Sequence, residues 1–223
     1  MNQTTAPTTT WQTLLACLTL GVLISLLVCI PVTAQKKSRD DASPPPPHQH
    51  DQMKAAEPSP AQKYFTDVVL VNQDGEQMRF YSDVLKGKTV IINAFFTTCT
   101  SVCPPMNRNL EKIQNALGDR LGKDVFIVSI SVDPETDTPP RLKDYSNKFH
   151  AKPGWLFLTG KKVNVDWALY KVGQYVEVKD DHLTGLIVGN EATGMWKKAF
   201  ALGKVDELLE IIKTVLNDKS SAP

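Results

Sequence analysis

Thr89-Val-Ile-Ile-Asn-Ala-Phe-Phe96-Thr-Thr-Cys99-Thr-Ser-Val-Cys103-Pro-Pro-Met106 carries two structural periods and the point where one gives way to the other. Thr89 to Phe96 is nearly continuous in β-branched, aliphatic and aromatic residues, the pattern of a strand buried on both faces. From Met106 onward the apolar residues recur every three or four positions, at Leu110, Ile113, Leu117 and Leu121. That spacing predicts one apolar stripe on a helix that begins near Cys103 and ends by Gly122. Pro104 and Pro105 suit the first turn, where a missing amide hydrogen leaves no helical bond unmade. Strand therefore turns into helix at the two cysteines, and at least one sulfur should lie near the positive end of the helix dipole, with a lowered thiol pKa.

Working outward, strand and helix patterns alternate. Val68–Val71 and Gln77–Phe80 flank the turn dipeptide Asp74-Gly75 and predict an N-terminal hairpin. Asp124–Val132 reads as a strand. Asp137-Thr138-Pro139 supplies a capping residue and a proline at a first helical position, and Leu142, Tyr145 and Phe149 share one face of the helix that follows. Trp155–Leu158 is a short strand and Val163–Val172 a helix. Gly185–Val188 and Trp196–Ala201 form an antiparallel hairpin, and Leu208, Leu209, Ile212, Val215 and Leu216 line a closing helix. The order βαβ, then α, then ββα predicts an α/β domain of thioredoxin-like fold, with insertions, over residues 61–217, followed by a short tail at 218–223.

The chain has 223 residues, with 25 basic against 24 acidic side chains and a formal charge of +1. Such a balance lacks the basic footprint of nucleic-acid binding, so no nucleic acid is expected among the partners. At 42% hydrophobic and 22% charged the composition is that of a globular protein. Upstream of the domain, Leu14–Val32 is almost continuously apolar for 19 residues and includes Cys17 and Cys29, close to the roughly 20 needed to cross a bilayer. Residues 1–34 read as a membrane anchor. The other reading is a cleavable signal, since Val32-Thr33-Ala34 fits a small-residue cleavage site. Lys36, Lys37 and Arg39 follow the run and no basic residue precedes it, so the positive-inside rule alone would keep the domain in the cytoplasm. Residues 35–60 hold six prolines and no aromatic side chain, which predicts a disordered or polyproline-like linker. His48 and His50 lie in it, without a fixed coordination geometry.

Three readings are open for Cys99 and Cys103. A structural disulfide closing so short a loop is worth only about 2 kcal/mol by chain entropy. A redox pair more commonly has two intervening residues than three. Two thiolates at chelating distance suit Cu(I), and an added imidazole would admit Cu(II). A third ligand would come from the domain's own histidines. His150, at the end of the Leu142–Phe149 helix, reads as a capping residue. His182 lies in the polar loop Lys179-Asp-Asp-His-Leu-Thr184, which in a thioredoxin-like sheet faces the cysteine turn; by position alone it is either a solvated loop histidine or a ligand. Asp180 and Asp181 read as solvated turn residues, or as acceptors that could orient the ring.

Phe96-Thr-Thr-Cys99-Thr-Ser-Val-Cys103-Pro104, Ser129-Ile-Ser-Val-Asp-Pro-Glu-Thr-Asp-Thr-Pro139 and Asp181-His182, in that order, resemble the SCO/SenC copper-chaperone family over essentially the whole domain. The resemblance implies a thioredoxin-like domain on a membrane tether. It implies copper, as Cu(I) or Cu(II), bound through Cys99, Cys103 and His182, and a role in assembling the dinuclear copper centre of cytochrome c oxidase. The implied partner is a copper-accepting subunit of a terminal oxidase or another copper enzyme. The implied place is a bacterial cell envelope, with the domain on the periplasmic side of the cytoplasmic membrane. Thiol-disulfide exchange through Cys99 and Cys103, as a reductase of target cysteines, is the alternative activity; a peroxidase is disfavoured because the residues around Cys99 do not resemble a peroxide site. Asp133 and Asp137 match the second motif, though helix capping and turn formation explain them equally well. The chain departs from the family at Thr100, where proline is usual, and at Leu183, where a small hydroxyl residue is common.

Overall fold

The computed structural model describes residues 57–182 and 184–219. The apolar run at 14–32, the linker as far as residue 56 with His48 and His50, and Leu183 lie outside them. Among the described residues no helix is long and apolar enough to cross a membrane. Seven strands, β1 (Val69–Asn72), β2 (Gln77–Arg79), β3 (Thr89–Phe95), β4 (Val125–Ser131), β5 (Trp155–Thr159), β6 (Gly185–Asn190) and β7 (Met195–Phe200), form one sheet in the order β2-β1-β5-β4-β3-β6-β7. Among the described residues five α-helices accompany them: α1 (Pro60–Phe65), α2 (Cys103–Leu117), α3 (Pro139–Asn147), α4 (Lys162–Lys171) and α5 (Val205–Leu216).

β3 is buried along its whole length because it is central in the sheet and covered on both faces. Its side chains alternate: Ile91 and Phe95 enter a core with α2, α3 and α5, while Val90, Ile92 and Ala94 enter a second core with α1, α4 and the helical turn Phe80–Leu85. β3 and β4 run parallel in register from Thr89 opposite Val125 to Phe95 opposite Ser131. β6 runs antiparallel to β3, with Ile91 opposite Val188 and Ile92 opposite Ile187. This register brings the residues after β3, those after β4 and those before β6 to one end of the sheet. The expected α/β architecture is present, with the N-terminal hairpin β1-β2 at one edge and β7 at the other.

Several local expectations are corrected. α2 stops at Leu117 because Gly118 turns to a φ of +54°, and Leu121 joins the same core from a loop rather than from the helix. α3 stops at Asn147, so His150 lies beyond it, at a φ of +48°; its Nδ1 faces Glu111 Oε1 of α2 at 2.7 Å and it caps no helix. Asp137 does not cap α3 either. Thr138 holds the cap position, and the Asp137 side chain is turned inward and fully buried. α1 and the Phe80–Leu85 turn have no counterpart in the periodicity reading, because each is only six residues long and buries a short patch rather than a stripe.

The cysteine turn depends on how α2 seats against the sheet, and Leu110 lies at the centre of that face with no solvent exposure. Leu110→Ala should lower unfolding free energy by about 2–5 kcal/mol through lost burial and a residual cavity. Urea titration of the variant and parent measures the difference.

Candidate metal centre

α2 starts at Cys103, and Pro104 and Pro105, which carry no amide hydrogen, follow at once. The first turn of a helix normally leaves four amides without helical partners. Here the prolines remove two of them and Cys103 N donates to Cys99 Sγ at 3.4 Å, while Met106 N makes the first helical bond, to Val102 O at 3.1 Å. A sulfur thus occupies the capping role at a helix start where no side-chain oxygen caps. Cys99 N in turn donates to Phe96 O at 3.2 Å, closing the turn that leaves β3. Thr100 is exposed at this turn.

His182 arrives from the loop before β6. Its Nε2 lies 3.2 Å from Cys103 Sγ, and its Nδ1 lies 3.0 Å from Lys179 O. A proton on Nδ1 donated to that carbonyl leaves the Nε2 lone pair facing the sulfurs. Cys99 Sγ, Cys103 Sγ and one His182 ring nitrogen all lie within 4.8 Å of one another, and all three residues are buried. The Phe96 ring meets the imidazole edge-to-face with centroids 5.2 Å apart and closes one side of the site. The structure therefore gathers all three residues singled out as site residues, Cys99, Cys103 and His182. It does not bring His150 to them; that ring is 80% exposed and paired with Glu111. Asp180 and Asp181 are exposed on a short 3₁₀ turn, and the ring is oriented instead by the Lys179 carbonyl.

The two thiols differ electrostatically. Burial pushes the Cys99 thiol up, but the Cys103 thiol, the Cys103 and Ser101 amides and the Ser101 hydroxyl outweigh it, and the net shift is downward. Burial pushes the Cys103 thiol well up, and the neighbouring Cys99 sulfur adds to this. Proton sharing within such a pair favours a thiolate on Cys99 and a thiol on Cys103. Burial also lowers the His182 pKa, against the opposing effects of the Lys179 carbonyl and the Asp180 charge, which keeps the ring neutral and able to ligate. Both cysteines are free thiols.

Asp137 forms a part of the site's frame that was not legible as such. It accepts hydrogen bonds from Thr97 N at 3.1 Å, Thr97 Oγ1 at 2.5 Å and Ser131 Oγ at 2.6 Å, tying the cysteine turn to the end of β4. Its place in Asp-Thr-Pro was a usable signal, but the same residues read equally well as a helix start.

Two sulfurs and one imidazole nitrogen at chelating separation, shielded from water, make a soft donor set suited to copper. The SCO1/SenC family profile matches residues 56–200. The SCO1 protein homolog of Bacillus subtilis (strain 168) is 39% identical over 90 residues, which are 40% of this chain and 45% of that protein. The match thus spans less than half the length of that curated relative. The crystal structure of Arabidopsis thaliana ScoI with copper bound superposes with a TM-score of 0.55 at 27% identity, over 66% of this chain and 93% of that one. BsSco, described as a member of the Sco family of cytochrome c oxidase assembly proteins and as having a disulfide switch, gives a TM-score of 0.56 at 25% identity over 68% of this chain and 92% of its own.

The asymmetry of the thiols predicts which one reacts first. Iodoacetamide should modify Cys99 faster than Cys103 by about tenfold or more at neutral pH, since one unit of pKa difference is worth that factor in thiolate. Because the Cys99 pKa is lowered, its rate should rise with pH through a midpoint below that of an ordinary thiol. Peptide mass spectrometry of timed samples resolves the two sites.

Proposed function

This chain belongs to the SCO1/SenC family, and on that premise we propose that it is a copper-binding metallochaperone whose cargo is held by Cys99, Cys103 and His182. The observation that carries the reading is the convergence of three soft or borderline donors within 4.8 Å in a buried site. Copper bound to a relative of the same fold supports it. Cu(I) needs little more than the two sulfurs. Cu(II) gains from the His182 nitrogen, whose neutral state is favoured by burial. Loading displaces the proton of Cys103, so uptake is coupled to proton release and weakens as pH falls.

The recipient is a copper-accepting subunit of a terminal oxidase, by the same route from family to chain; the description of BsSco as a cytochrome c oxidase assembly protein supports that class of partner. A second reading is favoured by the thiol asymmetry. A low-pKa Cys99, 7% exposed, backed by a fully buried, high-pKa Cys103 is the arrangement of an exchange pair, in which Cys99 attacks a target disulfide and Cys103 resolves the mixed disulfide. The target gains two electrons as dithiol and the chain is left as the Cys99–Cys103 disulfide.

Anaerobic Cu(I) titration of the reduced chain should give one tight site, absent from Cys99→Ser, from Cys103→Ser and from the oxidised chain, since a hydroxyl or a disulfide offers no thiolate. His182→Ala should lose Cu(II) while retaining much of its Cu(I) affinity. Equal copper uptake by oxidised and reduced chain would remove the cysteines from the ligand set.

The domain works outside the cytoplasmic membrane in this reading, tethered by residues 14–32. Copper delivery to an extracytoplasmic centre and a disulfide-capable pair both call for an oxidising compartment. A C-terminal alkaline phosphatase fusion should be active and a C-terminal green fluorescent protein fusion dark; the reverse pattern would place the domain in the cytoplasm.

A further inference from the structure

Lys179 attaches the His182 loop to the rest of the site at two points. Its carbonyl accepts from the His182 backbone amide at 3.2 Å and lies 3.0 Å from His182 Nδ1. Its side chain reaches away from the loop, placing Nζ 2.7 Å from Asp133 Oδ2 and 5.3 Å from the centroid of the Phe96 ring, the same ring that abuts the imidazole. Asp133 is itself fixed: its amide donates to Ser131 Oγ at 3.0 Å, and Ser131 Oγ donates to Asp137 Oδ2. Asp137 holds Thr97, two residues before Cys99. A continuous polar chain therefore runs from the cysteine turn through Asp137, Ser131, Asp133 and Lys179 to the imidazole. It joins the two halves of the site, which belong to segments otherwise far apart in sequence.

We propose that the Lys179–Asp133 ion pair is a latch that positions His182 over the cysteine pair and thereby sets how tightly the site holds Cu(II) relative to Cu(I). The inference rests on the copper reading above. The His182 loop is a three-residue 3₁₀ turn with exposed residues. A ligand carried on such a loop must be ordered when it binds metal unless something orders it beforehand. Lys179 provides that ordering from both ends of the residue, its carbonyl selecting the ring tautomer and its ammonium pinning the turn. The carboxylate end of the pair is well shielded, at 13% side-chain exposure, while the ammonium end is 42% exposed. An ion pair with one end open to water contributes little to global stability, so the effect is on the geometry of the ring. Cu(I) on two sulfurs is insensitive to the ring; Cu(II), which needs the nitrogen, is not. Lys179 and Asp133 are positioning residues and touch no copper.

The test uses the purified full chain as Lys179→Met, Asp133→Asn, the double variant and Lys179→Arg. Before any metal is added, the imidazole nitrogen and carbon signals of His182 should report one fixed tautomer in the parent and in Lys179→Arg, and tautomer averaging or broadening in the other three. On loading, each single substitution should weaken Cu(II) binding by about tenfold, in the range seen when a partner of a metal-bound histidine is removed. The double variant should be no weaker than the singles, Lys179→Arg should restore most of the loss, and Cu(I) affinity should change less than about twofold. Equal losses for both oxidation states, additive losses in the double variant, or His182 signals unchanged by the substitutions would overturn the latch. A parent chain that binds no copper would instead overturn the chaperone reading, and the imidazole signals would still decide whether Lys179 and Asp133 hold the ring.

Discussion

The amide of Cys103 donates to the sulfur of Cys99 at the first residue of α2, and the arrangement of the site follows from that bond. Two prolines remove the amides that would otherwise compete for a cap, so the helix start presents a single directed donor at the cysteine loop. The three-residue gap then brings the second sulfur to the first without a disulfide. A helix N-terminus stabilises negative charge, and here that charge falls on sulfur. The same few atoms end the strand, cap the helix and assemble two of the three donors.

From this bond comes the difference between the thiols. Cys99 receives hydrogen bonds and tends toward thiolate; Cys103 gives them, is fully buried and keeps its proton. A site with two identical thiolates would carry uncompensated charge in a low-dielectric pocket, which is costly. Keeping the proton on Cys103, beside a neutral imidazole, limits the pair to a single negative charge when Cys99 ionises. A cation held by both sulfurs requires loss of the second proton, and its charge compensates the second thiolate. The copper binding and the thiol exchange proposed for this site both draw on this one asymmetry and would compete for the same atoms.

The third donor depends on the sheet rather than on the turn. Because β6 runs antiparallel to β3 while β4 runs parallel to it, the start of β6 and the ends of β3 and β4 share one rim. His182, Asp133, Asp137 and Thr97 meet there, and hydrogen bonds rather than apolar packing set their mutual geometry. Phe96 is the apolar exception, packed edge-on against the imidazole and lying under the Lys179 ammonium.

The strand–turn–helix unit around Cys99 and Cys103 was legible in the sequence because its determinants are local: an apolar run, a change of period and two prolines within a few residues of the sulfurs. The order of the remaining strands and of α3, α4 and α5 was legible for the same reason, down to shifts of a few residues where Gly118 ended α2 early, whereas α1 was too short to leave a stripe. His182 could be named as a ligand only through family resemblance, since residues 79 apart have no local pattern that pairs them. Asp137 was read as a helix cap and proved to be a buried acceptor of Thr97, 40 residues away, and the bond between Lys179 and Asp133 crosses 46. Local periodicity records which face of an element is buried, whereas the partner of a polar side chain is chosen by the sheet register that brings distant loops to a common rim.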